Sequence, residues 1–218
     1  MILNKSILLF DLDGTIADTR VGVTRAVQYS LRHFGIDVPE PDKLVCFIGP
    51  PLRGSYKKHY GFNDEQAELA VAKFREYYAQ RGVRECKPYE GIGKLLHSLR
   101  ARGKTLLLAT SKVEHFARQI LEDFGLDGLF ACIAGARADG SLVKKADVIR
   151  NALDRAGMAG PDGAVMIGDS RYDVLGAREV GLDVVGVLYG FGSRAELEEA
   201  GADVMIESVG DLAGLLGV

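Results

Sequence analysis

At 218 residues, 47% of them hydrophobic, the chain is long enough for one large domain, or for a domain carrying an insertion. A net charge of −3 gives no electrostatic case for a nucleic-acid polymer or an anionic membrane as partner. The three cysteines, Cys46, Cys86 and Cys132, are far apart and form no C-x-x-C pair, which argues against a zinc site or a disulfide framework. The first apolar run is too short for a signal peptide and ends in Asp11, and no run approaches the length of a membrane span. The expectation is a soluble protein of the cytoplasm.

Ile7-Leu8-Leu9-Phe10 predicts a short strand buried inside a parallel sheet. It runs straight into Asp11-Leu12-Asp13-Gly14-Thr15, so two carboxylates fall at its carboxyl end, where open α/β sheets bind ligands. Two like charges side by side cost stability, which points to chemistry; the bland alternative is a solvated turn, since Asp and Gly are ordinary turn formers. Val23, Val27, Leu31 and Phe34 then repeat at helical spacing over 19–34, and Gly35 stops that helix. Pro39, Pro41, Gly49, Pro50 and Pro51 break the next stretch into room for short helices. Asn63-Asp64 caps a longer helix, with an apolar stripe of Leu69, Val71, Phe74 and Tyr78, that ends near Gly82. Residues 17–84 read as helical, without a convincing strand.

From Lys87 the rhythm changes to alternating helix and strand. Helices over 92–102, 113–124, 146–156 and 174–180 precede apolar strands over 105–109, 130–134, 164–167 and 184–188. A last strand, 204–206, precedes a short helix. All-apolar strands alternating with helices predict a parallel sheet covered on both faces. The expected organisation is an α/β core of residues 1–16 plus 85–218, interrupted by an α-helical cap of residues 17–84. A segment inserted just after Asp13 is expected to act as a lid, with hinges near 16–19 and 82–87.

In a parallel sheet all strand ends point one way, so polar groups at those ends converge. The second core strand ends in Thr110-Ser111-Lys112, and the strand over 164–167 ends in Gly168-Asp169-Ser170-Arg171-Tyr172-Asp173. Lys144-Lys145 stands before the helix that precedes the latter strand. Four carboxylates in one cleft need a counter-charge, and a hard cation with oxygen ligands such as Mg²⁺ provides one. Taken singly, Thr110 reads equally as a helix cap, the lysine pair as solvated surface, and Asp173 as a charge complementing a helix dipole.

Together these segments resemble the phosphatase branch of the haloacid dehalogenase superfamily, over essentially the whole chain. Asp11-Leu12-Asp13-Gly14-Thr15 is similar to its first motif, Thr110 to the second, Lys145 (preferred over Lys144 on spacing) to the third, and Gly168 to Asp173 to the fourth. The resemblance implies a Rossmann-like core with a small α-helical cap, and phosphoryl transfer through an aspartyl-phosphate. It makes Asp11 the nucleophile and Asp13 the proton donor and later the base. Asp11, the backbone carbonyl of Asp13, and Asp169 would hold Mg²⁺, and Asp173 would orient the metal's waters or Lys145. Thr110 and the Ser111 amide would bind phosphate oxygens. Asp13 also points to phosphate ester chemistry rather than dehalogenation.

Candidate substrate contacts are Gly14, Ser111, Lys112 and Arg53, the last offering a bidentate anion clamp beside the stiff Ile48-Gly49-Pro50-Pro51 segment. Phe191, in a flexible Gly190-Phe191-Gly192 loop, either stacks on a base or covers the core. The histidines show no ligand spacing and read mostly as surface residues; His59, in the cap, has a second reading as a substrate contact. The resemblance extends to the phosphoglycolate phosphatase-like group, and Lys87-Pro88-Tyr89-Glu90-Gly91 and Ala109-Thr110-Ser111-Lys112 look closer to its 5′-nucleotidase-like members. The partner expected is a small phosphorylated metabolite, phosphoglycolate or a nucleoside monophosphate. The alternatives are a phosphosugar mutase and a non-catalytic binding protein on the same core.

Overall fold

The computed structural model describes residues 2–158 and 160–218. After a 3-10 turn at Ile2–Asn4, the chain runs through β1 (Ile7–Phe10), β2 (Ala17–Asp18) and α1 (Arg20–Arg32). A 3-10 segment, Pro41–Phe47, leads to α2 (Leu52–Tyr60) and α3 (Asp64–Gln80), and a further 3-10 turn, Gly82–Arg84, to β3 (Lys87–Pro88). Then come α4 (Ile92–Ala101), β4 (Thr105–Val113), α5 (Glu114–Asp123), a 3-10 turn at Asp127–Leu129, and β5 (Cys132–Ala136). The chain finishes with α6 (Lys145–Arg155), β6 (Ala164–Gly168), α7 (Arg171–Val180), β7 (Asp183–Val187), α8 (Arg194–Ala200), β8 (Val204–Ile206) and α9 (Val209–Leu216).

The chain divides into two compact units, Met1–Asp18 with Pro88–Val218, and Thr19–Lys87. The first is an α/β unit built on a six-stranded sheet of order β5-β4-β1-β6-β7-β8. Its ladders are parallel throughout, with Phe10 level with Leu108 on one side and Ile167 on the other. The strand nearest the amino terminus is thus central, and β4 and β6 flank it. Leu9, Leu107, Met166 and Val184 bury one face of the sheet against Val148, Ile149 and Leu153 of α6 and Val174 and Ala177 of α7. Leu8, Phe10, Leu106, Leu108, Val165 and Ile167 alternate with them and are also buried, so both faces are covered. Full burial of each such side chain contributes about 1.5–3 kcal/mol. This is why the strands read as continuous apolar runs.

The second unit is helical. Asn63 caps α3 through a reciprocal box, its side chain accepting from the Gln66 amide while Gln66 returns the bond. Ala67, Ala70, Val71, Phe74 and Tyr78 of α3 are buried with Val23, Val27 and Leu31 of α1, Leu44, Phe47, and Tyr56 of α2.

Several boundaries differ from the sequence reading. The third core strand begins at Cys132 rather than 130, because Phe130 closes the Asp127–Leu129 turn through its amide. The fifth, β7, lies one residue earlier than 184–188. The strand read as 105–109 continues to Val113 through an irregularity in its pairing with β5. Leu69 is 43% exposed and lies off the buried stripe of α3. Ala17–Asp18, inside the stretch read as strandless, pairs with Lys87–Pro88 in a separate two-stranded sheet. Residues 85–87 go with the helical unit because the Gly22 amide donates to the Glu85 carbonyl at 3.0 Å and Arg25 pairs with the Glu85 carboxylate at 2.6 Å.

Candidate active site

The strand order decides which side chains meet. β1 ends at Phe10, and the Asp11 amide donates to the Ile167 carbonyl at 2.9 Å, so Asp11 lies beside the last residues of β6. Asp169 follows β6 directly, and Ser170 caps α7, which turns Asp173 in its first turn back toward the sheet. Ser170 donates to Asp173 Oδ2 from both its amide (3.0 Å) and its hydroxyl (2.7 Å). Asp173 therefore caps a helix, as its position allows, and its other oxygen remains for the cleft. Carboxylate oxygens of Asp11, Asp169 and Asp173 all lie within 4.8 Å of one another, and all three residues are buried.

Lys145, the first residue of α6, is buried among them. Its ammonium lies 2.7 Å from Asp11 Oδ1 and 2.5 Å from Asp173 Oδ1. Lys144 instead points outward and pairs with Glu179 at 3.4 Å, with 68% of its side chain exposed. Burial would lower the Lys145 pKa, but Asp11 and Asp173 outweigh it and hold the ammonium above its ordinary range. Burial pushes Asp11 up to about 7 against the opposing pull of Lys145. Burial, then Asp173 and Asp11, push Asp169 well above the carboxylate range. Three carboxylates against one ammonium leave an excess of negative charge in a low-dielectric pocket. A hard divalent cation with oxygen ligands fits this donor set.

Glycines shape the pocket. Gly14 has φ of +79°, and a Cβ there would lie 1.9 Å from Asp169 Oδ2. A Cβ on Gly190 or Gly192 would also strike Asp169, at 2.4 and 1.9 Å. The amide of Phe191, between them, donates to Asp169 Oδ2 at 2.7 Å. The loop read as flexible is in fact a clamp on one carboxylate, and it acts through its backbone. That role was beyond the sequence reading, although two glycines around one residue mark a close backbone approach.

Asp13 sits apart from the three convergent carboxylates. Its side chain, 11% exposed, pairs with Lys112 at 3.1 Å. Thr110 is buried within β4, where its regular pairing with β5 breaks, and its hydroxyl oxygen accepts the Lys112 amide at 3.2 Å. It does not cap α5, whose N-cap is Val113 with no side-chain capping bond. Ser111 follows in the same irregular segment. Arg53 belongs to α2 of the helical unit and is 51% exposed, pairing with Asp64 and Glu68 at 2.8 Å each. His59, on the same helix, contacts the Phe47 ring. Among the described residues no helix is long and apolar enough to cross a membrane.

The profile of the haloacid dehalogenase-like hydrolase family matches residues 8–187. A 5′-nucleotidase of Pseudomonas aeruginosa is 45% identical over 87% of this chain and 86% of its own length. The tyrosine-protein kinase PtkA of Mycobacterium tuberculosis is 37% identical over 99% of this chain and 74% of its own. A crystal structure described as a predicted phosphatase from Clostridium acetobutylicum superposes with a TM-score of 0.94 at 44% identity, covering 98% of this chain and 99% of that one.

Proposed function

The chain belongs to the haloacid dehalogenase-like hydrolases and is a phosphoric monoester hydrolase; on that premise we propose that it is Mg²⁺-dependent and works through an aspartyl-phosphate on Asp11. The observation that carries this reading is the buried contact of Lys145 with both Asp11 and Asp173, beside Asp169. A carboxylate attacks a phosphate dianion poorly, because both are negative. The Lys145 ammonium offsets that repulsion and fixes the Asp11 oxygen for attack. Asp11, the backbone carbonyl of Asp13, and Asp169 would hold Mg²⁺, which would supply further charge neutralisation at the transferring phosphoryl group, while Asp173, with one oxygen on Ser170 and the other on Lys145, orients that lysine. Thr110 and the Ser111 amide bind phosphate oxygens. Asp13 protonates the departing alcohol oxygen and then takes a proton from the water that cleaves the intermediate.

The substrate class is a small phosphorylated metabolite. We place the nucleoside 5′-monophosphates ahead of phosphoglycolate. Arg53, the residue suited to a glycolate carboxylate, already neutralises Asp64 and Glu68, and the Pseudomonas relative named above is a 5′-nucleotidase. Three cysteines with no C-x-x-C pair among them suit a reducing cytoplasm.

The test is turnover of p-nitrophenyl phosphate with Mg²⁺, abolished in Asp11→Asn, with a phosphoryl-mass increment on the peptide containing Asp11 after acid quench. A panel of nucleoside monophosphates, phosphoglycolate and hexose phosphates, compared by kcat/KM, then ranks substrates. Absence of turnover on every phosphomonoester sinks the hydrolase reading, and isomerisation of a hexose phosphate without phosphate release identifies a mutase.

A further inference from the structure

Lys112 is more deeply placed than a surface contact for substrate requires. Its side chain is only 7% exposed, and its ammonium meets the equally shielded Asp13 carboxylate at 3.1 Å. It is brought there by a break in the sheet. Along β4 and β5, Thr110 is level with Gly135 and Val113 with Ala136, so Ser111 and Lys112 bulge out of the ladder with no counterpart. Three local features hold the bulge. The Lys112 amide donates to Thr110 Oγ1 at 3.2 Å. Gly135 passes directly beneath, where a Cβ would lie 2.6 Å from both the Lys112 carbonyl oxygen and Glu114 Cα. The Glu114 carboxylate accepts the Gly135 amide at 3.4 Å and is itself clamped by Arg155 at 2.6 Å.

We propose that Lys112 is a positioning residue for Asp13, delivered by the β4 bulge, and that it fixes where the Asp13 carboxyl stands relative to the leaving oxygen. The inference rests on the phosphatase reading above and assigns a division of labour within it. In the first step an Asp11 oxygen bonds to phosphorus, the bond from phosphorus to the ester oxygen breaks, and the Asp13 proton goes to that oxygen. In the second step water bonds to phosphorus, its proton returns to Asp13, and the bond from Asp11 to phosphorus breaks. Asp13 touches both oxygens in turn, whereas Lys112 acts only through Asp13. Lys145, which also meets Asp173, serves Asp11 in the parallel way, so Asp11 and Asp13 each face a buried lysine.

The measurement is kcat/KM over phosphomonoesters of graded leaving groups, from p-nitrophenyl phosphate to alkyl phosphates. A phenolate departs with little help, whereas an alkoxide needs its proton. With Lys112→Met the alkyl esters should lose roughly a hundredfold and the p-nitrophenyl ester less than about tenfold. Lys112→Arg should restore part of the alkyl rate. In an Asp13→Asn background, which also spares a misfolding single variant its unpaired carboxylate, Lys112→Met should add no further leaving-group dependence. A uniform loss across leaving groups, or a change confined to KM, overturns the positioning role and returns Lys112 to substrate binding. Additive effects of the two substitutions overturn it as well. Failure of the wild-type protein to turn over any ester overturns the phosphatase reading itself, so the two failures are distinguishable.

Discussion

At the scale of single residues the site is a set of buried charges whose balance leans negative. Lys145→Met would leave Asp11 and Asp173 facing each other without their shared ammonium. Breaking a buried ion pair from one side costs about 3–5 kcal/mol, which urea denaturation would read. On the proposed mechanism turnover should fall by at least about a hundredfold, since the positive charge beside Asp11 is gone. If stability is unchanged, Lys145 is not the counter-ion its distances make it. Gly14→Ala should be nearly inactive, because the new methyl meets Asp169 and the backbone holds φ of +79°. The Asp11, Asp13, Asp169 and Asp173 positions were legible in the sequence because acidic residues follow apolar strands there. The Lys112 contact with Asp13 was not, because a two-residue bulge leaves no trace in hydrophobic patterning. Arg53 looked available as an anion clamp because its partners are 11 and 15 positions away on another helix, beyond local spacing rules.

At the scale of elements, two effects compete at Gly176 on α7. Alanine is the better helix former by about 1 kcal/mol. A Cβ at Gly176, however, would lie 2.8 Å from Lys145 Cβ and Cγ, in the path of the lysine stem as α6 crosses α7. Gly176→Ala should therefore lower kcat while leaving the melting temperature equal or reduced, and a more stable, fully active variant would refute the steric account. Ser170→Ala removes one half of the α7 capping box and should cost about 1 kcal/mol. It should also loosen Asp173, so activity falls more than stability explains. Element type was readable because the strands are wholly apolar and the helices carry striped faces. One strand end drifted because the turn Asp127–Leu129 draws in Phe130, a residue of strand composition, through its amide.

For the molecule as a whole, folding is linked to protons, and the proposed binding of a cation would be linked to the same protons. A carboxyl whose folded pKa stands above its ordinary value holds its proton more tightly when folded. Asp11, raised from 3.8 to about 7, thus contributes most to stability at low pH, and that contribution is lost as pH climbs through this window. A cation competes with that proton. Mg²⁺ should raise the melting temperature little at pH 5 and by several degrees at pH 8, about 2–4 °C per kcal/mol for a chain of this size. Equal shifts at the two pH values would mean that these carboxylates do not hold the cation. The α/β class was legible from the alternation after Lys87, but the order of the strands was not. Chain order alone does not say that β1 lies between β4 and β6. That placement has a consequence during synthesis. β1 is made before both of its neighbours, and Ala164, its partner across one ladder, follows only roughly 10–30 seconds later at about 5–20 residues per second. Until β4 is made, roughly 5–20 seconds after β1 at that rate, a wholly apolar strand has neither neighbour, and until β6 follows it has only one, so it is exposed to chaperones, to aggregation, and to any defect that delays the second half of the chain.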